Sequence, residues 1–204
     1  MQKETEWELN SSTYDNEEKI ELTEWNITKK LYWHLIWKKW YNVVTHQFSN
    51  SFWIADIFGV NKSNYTHEIE IKVSKSDLMS EIKDIEYLIN WWEWLPQWRW
   101  SKYVKHYWYL NEVKTDSMDK QNREHLIPNY FSFAVPTELK EIAWEKLKNT
   151  PYWIIEIYTI WKFIKIWSVI KQAKKIHKTK ISFDVLLKIA RRMSYINEKN
   201  INKN

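Results

Sequence analysis

Glycine is what a chain uses where its backbone must take positive φ or lie close against another segment. This chain of 204 residues has one glycine, where average usage of ~7% would supply about 14. It also has 16 Trp. An AT-rich genome accounts for scarce Gly and for abundant Lys, Asn and Ile, but not for surplus Trp. One cause fits both anomalies: codons meant as Gly are written here as Trp, since some bacterial lineages read UGA as glycine and others as tryptophan. Position supports this reading. Trp40 follows Lys38-Lys39 at the end of a helical pattern and precedes the strand-like Tyr41-Asn42-Val43-Val44. That is the C′ place, where Gly is preferred. Trp91, Trp92, Trp94, Trp98 and Trp100 crowd around Pro96 among polar residues, and Trp153 follows Pro151-Tyr152. As Gly, the first group reads as a mobile loop; as Trp, it is a large exposed apolar patch of the kind monomers avoid. The rival reading is a genuinely Trp-rich surface for carbohydrate or membrane headgroups.

The length suits one domain, and 44% hydrophobic with 28% charged residues is a globular balance. No apolar run approaches about 18 residues, so no transmembrane helix is predicted. The polar, acidic start predicts no secretory leader, and a cytoplasmic location is expected. The absence of Cys excludes disulfides, thiolate zinc sites and Cys nucleophiles. Charge is uneven. Residues 1–24 hold eight acids and two lysines, which leaves 29 basic and 18 acidic residues elsewhere. A basic body of this kind suits a polyanion such as nucleic acid; AT-rich codons alone also enrich Lys.

Periodicity predicts a helix over 20–38, where Ile20, Ile27, Leu31, Leu35 and Ile36 recur at helical spacing. Strands follow at 41–48, 52–60 and 66–74, the last two joined by a turn at 61–64. In the third strand Ile69, Ile71 and Val73 point one way, and Glu68, Glu70, Lys72 and Ser74 the other. Ser76 is the expected cap of a helix over 77–88. Residues 90–128 read mostly as loop. A fourth strand spans 130–135, Thr137 is the expected cap of a helix to about 147, and a fifth strand spans 154–158, with 163–166 as its candidate partner. A last helix covers 183–196. This order predicts one α/β domain whose mixed sheet begins as an antiparallel meander and continues through a crossover strand. Residues 1–18 are expected to be a flexible acidic segment and 197–204 a disordered tail.

The informative segment is Ala55-Asp56-Ile57 followed by Glu68-Ile69-Glu70-Ile71-Lys72-Val73-Ser74. Glu70 and Lys72 lie two apart, so both project from one strand face. Asp56 lies on the neighbouring strand and can approach that face. Two carboxylates converging at a sheet end suit a hard cation such as Mg²⁺, which keeps several waters. Lys72 is placed to orient an attacking water or offset charge on a phosphate.

Asp56, Glu70-Ile71-Lys72 and the α-β-β-β-α-β order resemble the PD-(D/E)xK, or restriction-endonuclease-like, nuclease superfamily. The downstream segments 70–78, Lys83, Lys105-His106, 131–136 and 151–155 look like its small bacterial and phage MmcB-like branch, associated with DNA repair. The resemblance covers roughly residues 20–195, and that branch typically has Gly where Trp153 stands. It implies a restriction-endonuclease-like domain over 19–196. It also implies metal-dependent hydrolysis of DNA with Mg²⁺ or Mn²⁺ held by Asp56, Glu70 and the Ile71 carbonyl, assisted by Lys72. An acid on the first helix often joins such sites; Glu24 is the choice, with Glu21 second. Ala55 stands where the superfamily has Pro.

Each residue also has a plainer reading. The plainer alternative for Glu68, Glu70 and Lys72 is a solvated, salt-bridged strand face; Asp56 within an apolar strand is harder to explain that way. Ser74 and Asp77 are helix caps or phosphate contacts. Lys75, Lys83, Lys102, Lys105 and His106 line a DNA groove or a solvated loop. Arg191 and Arg192 meet phosphate or compensate a helix C-terminus. His67 is expected on the strand surface. Tyr103, Tyr107, Trp108 and Tyr109 stack on bases or pack in the core. Two other functions compete with the nuclease: a non-catalytic nucleic-acid-binding protein on the same fold, and a Trp-rich carbohydrate- or membrane-surface module. The recoding idea makes a direct prediction. The Trp positions should be written mostly as UGA in the gene, and a gene that writes them mostly as UGG removes it.

Overall fold

A computed structural model describes residues 21–49, 54–91, 102–110, 127–160, 163–172 and 174–201. The acidic segment 1–18, the Trp cluster beyond Trp91 up to Trp100, and residues 202–204 lie outside the described residues.

Helix α1 (Glu24–Trp33) starts where Thr23 Oγ1 accepts the Asn26 amide at 3.2 Å. Its buried face is Ile27 and Leu31, continued by Leu35 in a π-type turn (His34–Lys38). Six strands form one mixed sheet in the order β1 (Val43–Ser49), β2 (Ile54–Val60), β3 (Thr66–Ile71), β4 (Tyr130–Pro136), β5 (Trp153–Ile160) and β6 (Phe163–Lys171). The first three make the predicted antiparallel meander. Strands β3, β4 and β5 run parallel, and β6 returns antiparallel to β5. The β2–β3 turn is held by Asn61, whose Oδ1 accepts the Ser63 and Tyr65 amides at 2.9 and 3.1 Å, with Asn64 at φ 61°.

The sheet is buried on both faces, as parallel strands require. Helix α1 covers one, packing Ile27, Leu31 and Leu35 on Ile57, Ile69 and Ile71. Helices α2 (Lys75–Trp91), α3 (Lys102–Leu110) and α4 (Lys140–Leu147) cover the other, where Leu78, Ile82, Tyr103 and Leu147 meet Phe131 and Phe133. Helix α5 (Phe183–Ile201) seats Ile189 against Phe58 and Val60.

Several elements differ from expectation. Residues 102–110 form a helix, not loop, with Tyr103, Val104 and His106 buried. The spacing of Tyr103, Val104, Tyr107 and Leu110 is helical, but it is set among aromatic residues on every side, which blurs the period. Trp91 is the last residue of α2 rather than part of a loop. Ser74, not Ser76, caps α2: its Oγ accepts the Asp77 amide at 3.2 Å. Thr137 caps nothing; it opens a 3₁₀ turn (Thr137–Leu139) and donates its hydroxyl to Glu156 Oε1 at 3.0 Å. The last helix runs to Ile201, past the expected end at 196, because no Gly or Pro interrupts the Asn/Lys-rich stretch. His67 is fully buried rather than on the surface. Its Nδ1 pairs with Tyr41 Oη at 2.9 Å and its Nε2 with Ser132 Oγ at 2.5 Å. Burial pushes its pKa down to about 3, so the ring is neutral.

The only glycine and two of the tryptophans show what the backbone asks for. Gly59 lies under the Tyr41 ring, and a Cβ there would meet Tyr41 Cδ1 at 2.7 Å. Trp40 has φ 56°, in the left-handed region, at the C′ position inferred from the sequence. Trp153 buries an indole N–H that has no hydrogen-bond partner among the described residues, beside His67 at 5.2 Å between ring centres. Trp25, Trp33 and Trp37 are exposed in helical backbone, where Gly would lose roughly 1 kcal/mol each against Ala; nothing in the structure asks for Gly there. Trp40→Gly is therefore expected to stabilise the fold by about 1 kcal/mol, read as a rise in Tm. Gly59→Ala is expected to destabilise it by about 1–3 kcal/mol. Unchanged or lower stability in Trp40→Gly would contradict the backbone assignment.

Candidate active site

The site is built on the strand pair β2–β3. Ile57 pairs with Ile69 and Phe58 with Glu68, so the next step of the same register sets Asp56 opposite Glu70. Side chains directly opposite share a face. On that face Glu68, Glu70 and Lys72 are all buried, which overturns a solvated strand face. Asp56 Oδ2 accepts the Ile71 amide at 2.7 Å, and the Lys72 amide donates to the Ala134 carbonyl at 3.0 Å. The backbone between Glu70 and Lys72 is thereby pinned from both sides, by β2 and by β4.

Lys72 is held by carboxylates. Its Nζ lies 3.2 Å from Glu81, 3.6 Å from Glu70 and 3.6 Å from Asp77. Burial alone would lower its pKa, but Glu81, Glu70 and Asp77 outweigh that and hold it well above the usual lysine range. The ammonium is charged. Glu81 comes from α2 and also accepts a hydrogen bond from the Tyr103 hydroxyl of α3. Burial would raise its pKa, yet Lys102, the Tyr103 hydroxyl and Lys72 together bring it below the ordinary value.

Lys102, expected in a DNA groove or a solvated loop, is turned inward from α3. Its Nζ is 2.6 Å from Glu70 Oε1 and 3.9 Å from Glu68 Oε1. The close approach to Glu70 is a charge contact without hydrogen-bond geometry. With Asp56 ionised, five carboxylates (Asp56, Glu68, Glu70, Asp77 and Glu81) face two ammonium groups (Lys72 and Lys102).

That imbalance shows in Asp56. Its pKa is raised to about 7, first by burial, then by Glu70 and, more weakly, by Glu24; the Ile71 amide and Lys72 offset part of this. Glu24, the exposed first residue of α1, thus contributes to the same field. By donor chemistry Asp56, Glu70 and the Ile71 carbonyl are all oxygen ligands suited to a hard divalent ion, in a setting of surplus negative charge. Among the described residues no three acidic or histidine side chains form a ready ligand group. Mg²⁺ needs only one or two carboxylates and completes its octahedron with water.

The other expected contacts divide. Lys75 and Lys83 are exposed on α2, and Arg191 on α5. Ser74 caps α2, as above. His106 is fully buried among Tyr103, Phe131 and Tyr152, so it does not present to a nucleic acid. Tyr103 is likewise core. The side chains of Lys105 and Arg192 lie outside the described residues. Sequence reasoning missed Glu81. Its signal was present: it adjoins Ile82 and follows Leu78 by three residues, on the flank of the buried stripe of α2. Trp25, Trp33 and Tyr32 line a separate groove of about 460 Å³ between α1 and β1. Among the described residues, no helix is long and apolar enough to cross a membrane.

No family model and no curated protein matches the sequence. Among solved structures, the chain is similar to a protein of unknown function from Silicibacter pomeroyi, at 15% identity and a TM-score of 0.47. The match covers 89% of this chain and 96% of that one.

The raised Asp56 pKa has a signed consequence. A carboxyl whose folded pKa exceeds its unfolded value of about 3.9 binds its proton more tightly when folded. Its stabilisation is full below that unfolded value and is lost as pH rises through about 7. Without divalent ions, Tm should fall between pH 5 and pH 8. Asp56→Asn, which keeps an acceptor for the Ile71 amide, should flatten that slope and melt higher at pH 8. Equal slopes in the two proteins would contradict the electrostatic assignment.

Proposed function

We propose that this chain is a divalent-metal-dependent deoxyribonuclease of the PD-(D/E)xK type, on a restriction-endonuclease-like domain, acting in DNA repair or phage DNA processing. The observation that carries the reading is the register that sets Asp56 opposite Glu70, with Lys72 on the same face and Asp56 raised to about 7 by burial and neighbouring acids. Asp56, Glu70 and the Ile71 carbonyl would hold Mg²⁺ or Mn²⁺. A bound ion supplies a lowered water pKa and polarisation of the phosphate.

The chain's own residues do the rest. Asp56 fixes the β3 end through the Ile71 amide, so the Ile71 carbonyl and the Glu70 carboxylate keep a set spacing. Lys72, charged and braced by Glu81 and Asp77, places a cation where negative charge grows on a phosphate under attack. Glu81 and Tyr103 position Lys72 rather than touch substrate. Lys75 and Lys83 on the exposed side of α2 suit phosphate contacts, which would weaken steeply with salt.

A second reading has its own observation. Lys102 Nζ, 2.6 Å from Glu70 Oε1, already places a cation against the acid that would ligate metal. A non-catalytic nucleic-acid-binding protein on this fold would keep such a lysine in place of the ion.

Cleavage assays separate the two. Linear, nicked, single-stranded and branched DNAs are offered with Mg²⁺ or Mn²⁺ to the wild type, Asp56→Ala and Lys72→Ala, each verified as folded. The nuclease reading predicts metal-dependent cutting of at least one substrate, reduced about 100-fold or more in both variants. A folded wild type that cuts none of them, or cutting that survives both substitutions, refutes it.

A further inference from the structure

A polar cavity lies at the same edge of the sheet as Asp56 and Glu70. Strands β3 and β4 end there, at Ile71 and Pro136, and β5 leaves its pairing with β4 at Ile157; open parallel sheets bind ligands at their carboxyl ends. Glu70 occupies the β3 end, with Asp56 beside it on β2. At the β5 end, a cavity of about 460 Å³ is lined by Leu22, Thr137, Lys140, Glu156 and Tyr158, among others. Strand spacing sets the two places roughly 10 Å apart. The chain entering α1 borders both: Leu22, just before the helix, lines the cavity, and Glu24, its first residue, acts on Asp56.

Two acids line the cavity, the exposed Glu138 and the buried Glu156. Glu156 sits within β5, in register with Val135 of β4, and is only 6% exposed. Its carboxylate is held in place: Thr137 donates to Oε1 at 3.0 Å, and Lys140 Nζ lies 3.2 Å from Oε2. A carboxylate offers about four acceptor sites, so these two partners leave acceptor capacity. Lys140 is 36% exposed at its side chain and brings a donor to the same wall. Tyr158, two residues along the strand, adds an aromatic surface. None of these residues is a Trp, so the cavity does not depend on how the Trp codons are read.

We propose that this cavity is a nucleobase subsite that favours guanine. A fixed carboxylate beside an ammonium is complementary to an edge with adjacent N–H donors and one carbonyl acceptor. Guanine presents that edge: its N1–H and N2–H groups face a carboxylate while O6 faces an ammonium. Adenine and thymine cannot offer two donors in a row, and cytosine offers one amino group. Tyr158 supplies the stacking face that single-stranded or extruded bases use. The proposal rests on the nuclease reading for its substrate. In that setting the subsite holds a base near the phosphate at Asp56 and Glu70, which makes cutting dependent on local sequence.

The test is binding of the four deoxynucleoside monophosphates to the full chain in EDTA, by amide NMR shifts and calorimetry. Dropping the metal separates the subsite from the metal centre. The expected result is dGMP binding at least about fivefold tighter than dAMP or TMP, with shifts centred on Thr137, Glu138, Tyr158 and Thr159. Glu156→Gln should abolish the preference for guanine, and Tyr158→Leu should weaken all four. The Asp56→Asn variant should bind dGMP as the wild type does. No binding, equal binding of all four, shifts centred elsewhere, or an unchanged preference in a folded Glu156→Gln would overturn the proposal. Metal-dependent cleavage with no dGMP binding leaves the nuclease and removes the subsite; dGMP seated here in a protein that cuts nothing keeps the subsite and removes the nuclease.

Discussion

One hydrogen bond organises the site: the Ile71 amide donating to Asp56 Oδ2 at 2.7 Å. An acid in the interior of a sheet is costly unless it is paired or neutral, and Asp56 is partly both. It gains one strong donor from the neighbouring strand, and its pKa is pushed up to about 7 by burial and by the acids around it. The same bond ties β2 to the last residue of β3, after which the chain leaves the sheet through Lys72 and turns into α2. Lys72, Glu81 and Lys102 are then arranged around acids whose position Asp56 has set. The surplus of carboxylates over ammonium groups is the feature on which the proposed divalent-ion binding rests.

The central features were legible because they depend on short-range period. Alternation in 66–74 assigned Glu68, Glu70 and Lys72 to one face, and a hairpin of four turn residues brought Asp56 to them. The burial of that face was not legible. Whether a Glu-x-Lys face meets solvent or helices depends on what crosses over it, and that was α3, hidden in a stretch so rich in Tyr and Trp that no apolar stripe stood out. Once α3 is present, Lys102 becomes an internal ion-pair partner and His106 becomes core. Glu81 was invisible for the complementary reason: an acid on the flank of a buried stripe looks like any solvent-facing acid until its partner Lys72 is placed.

Local chemistry also misled at Thr137 and His67. Thr137 precedes a helix, as a cap does, but its hydroxyl serves Glu156 across the sheet edge instead. His67 sits in an alternating strand next to a polar turn, yet β4 and Tyr41 close over it and leave it neutral. The Trp question divides along the same line. Trp40 occupies a backbone conformation that can be inferred from its neighbours. Trp153 reveals its misfit only through a buried indole N–H, which is a tertiary fact.

If a divalent ion completes the Asp56–Glu70 pair, as proposed, its binding must release a proton. Mn²⁺ is titrated into the protein by calorimetry at pH 6, in buffers of different ionisation enthalpy, with Asp56→Ala alongside. Because Asp56 is protonated below about 7, each bound ion should displace close to one proton from the wild type, with much weaker binding in the variant. Absence of binding, binding without proton release, or equal affinity in Asp56→Ala would contradict the proposal.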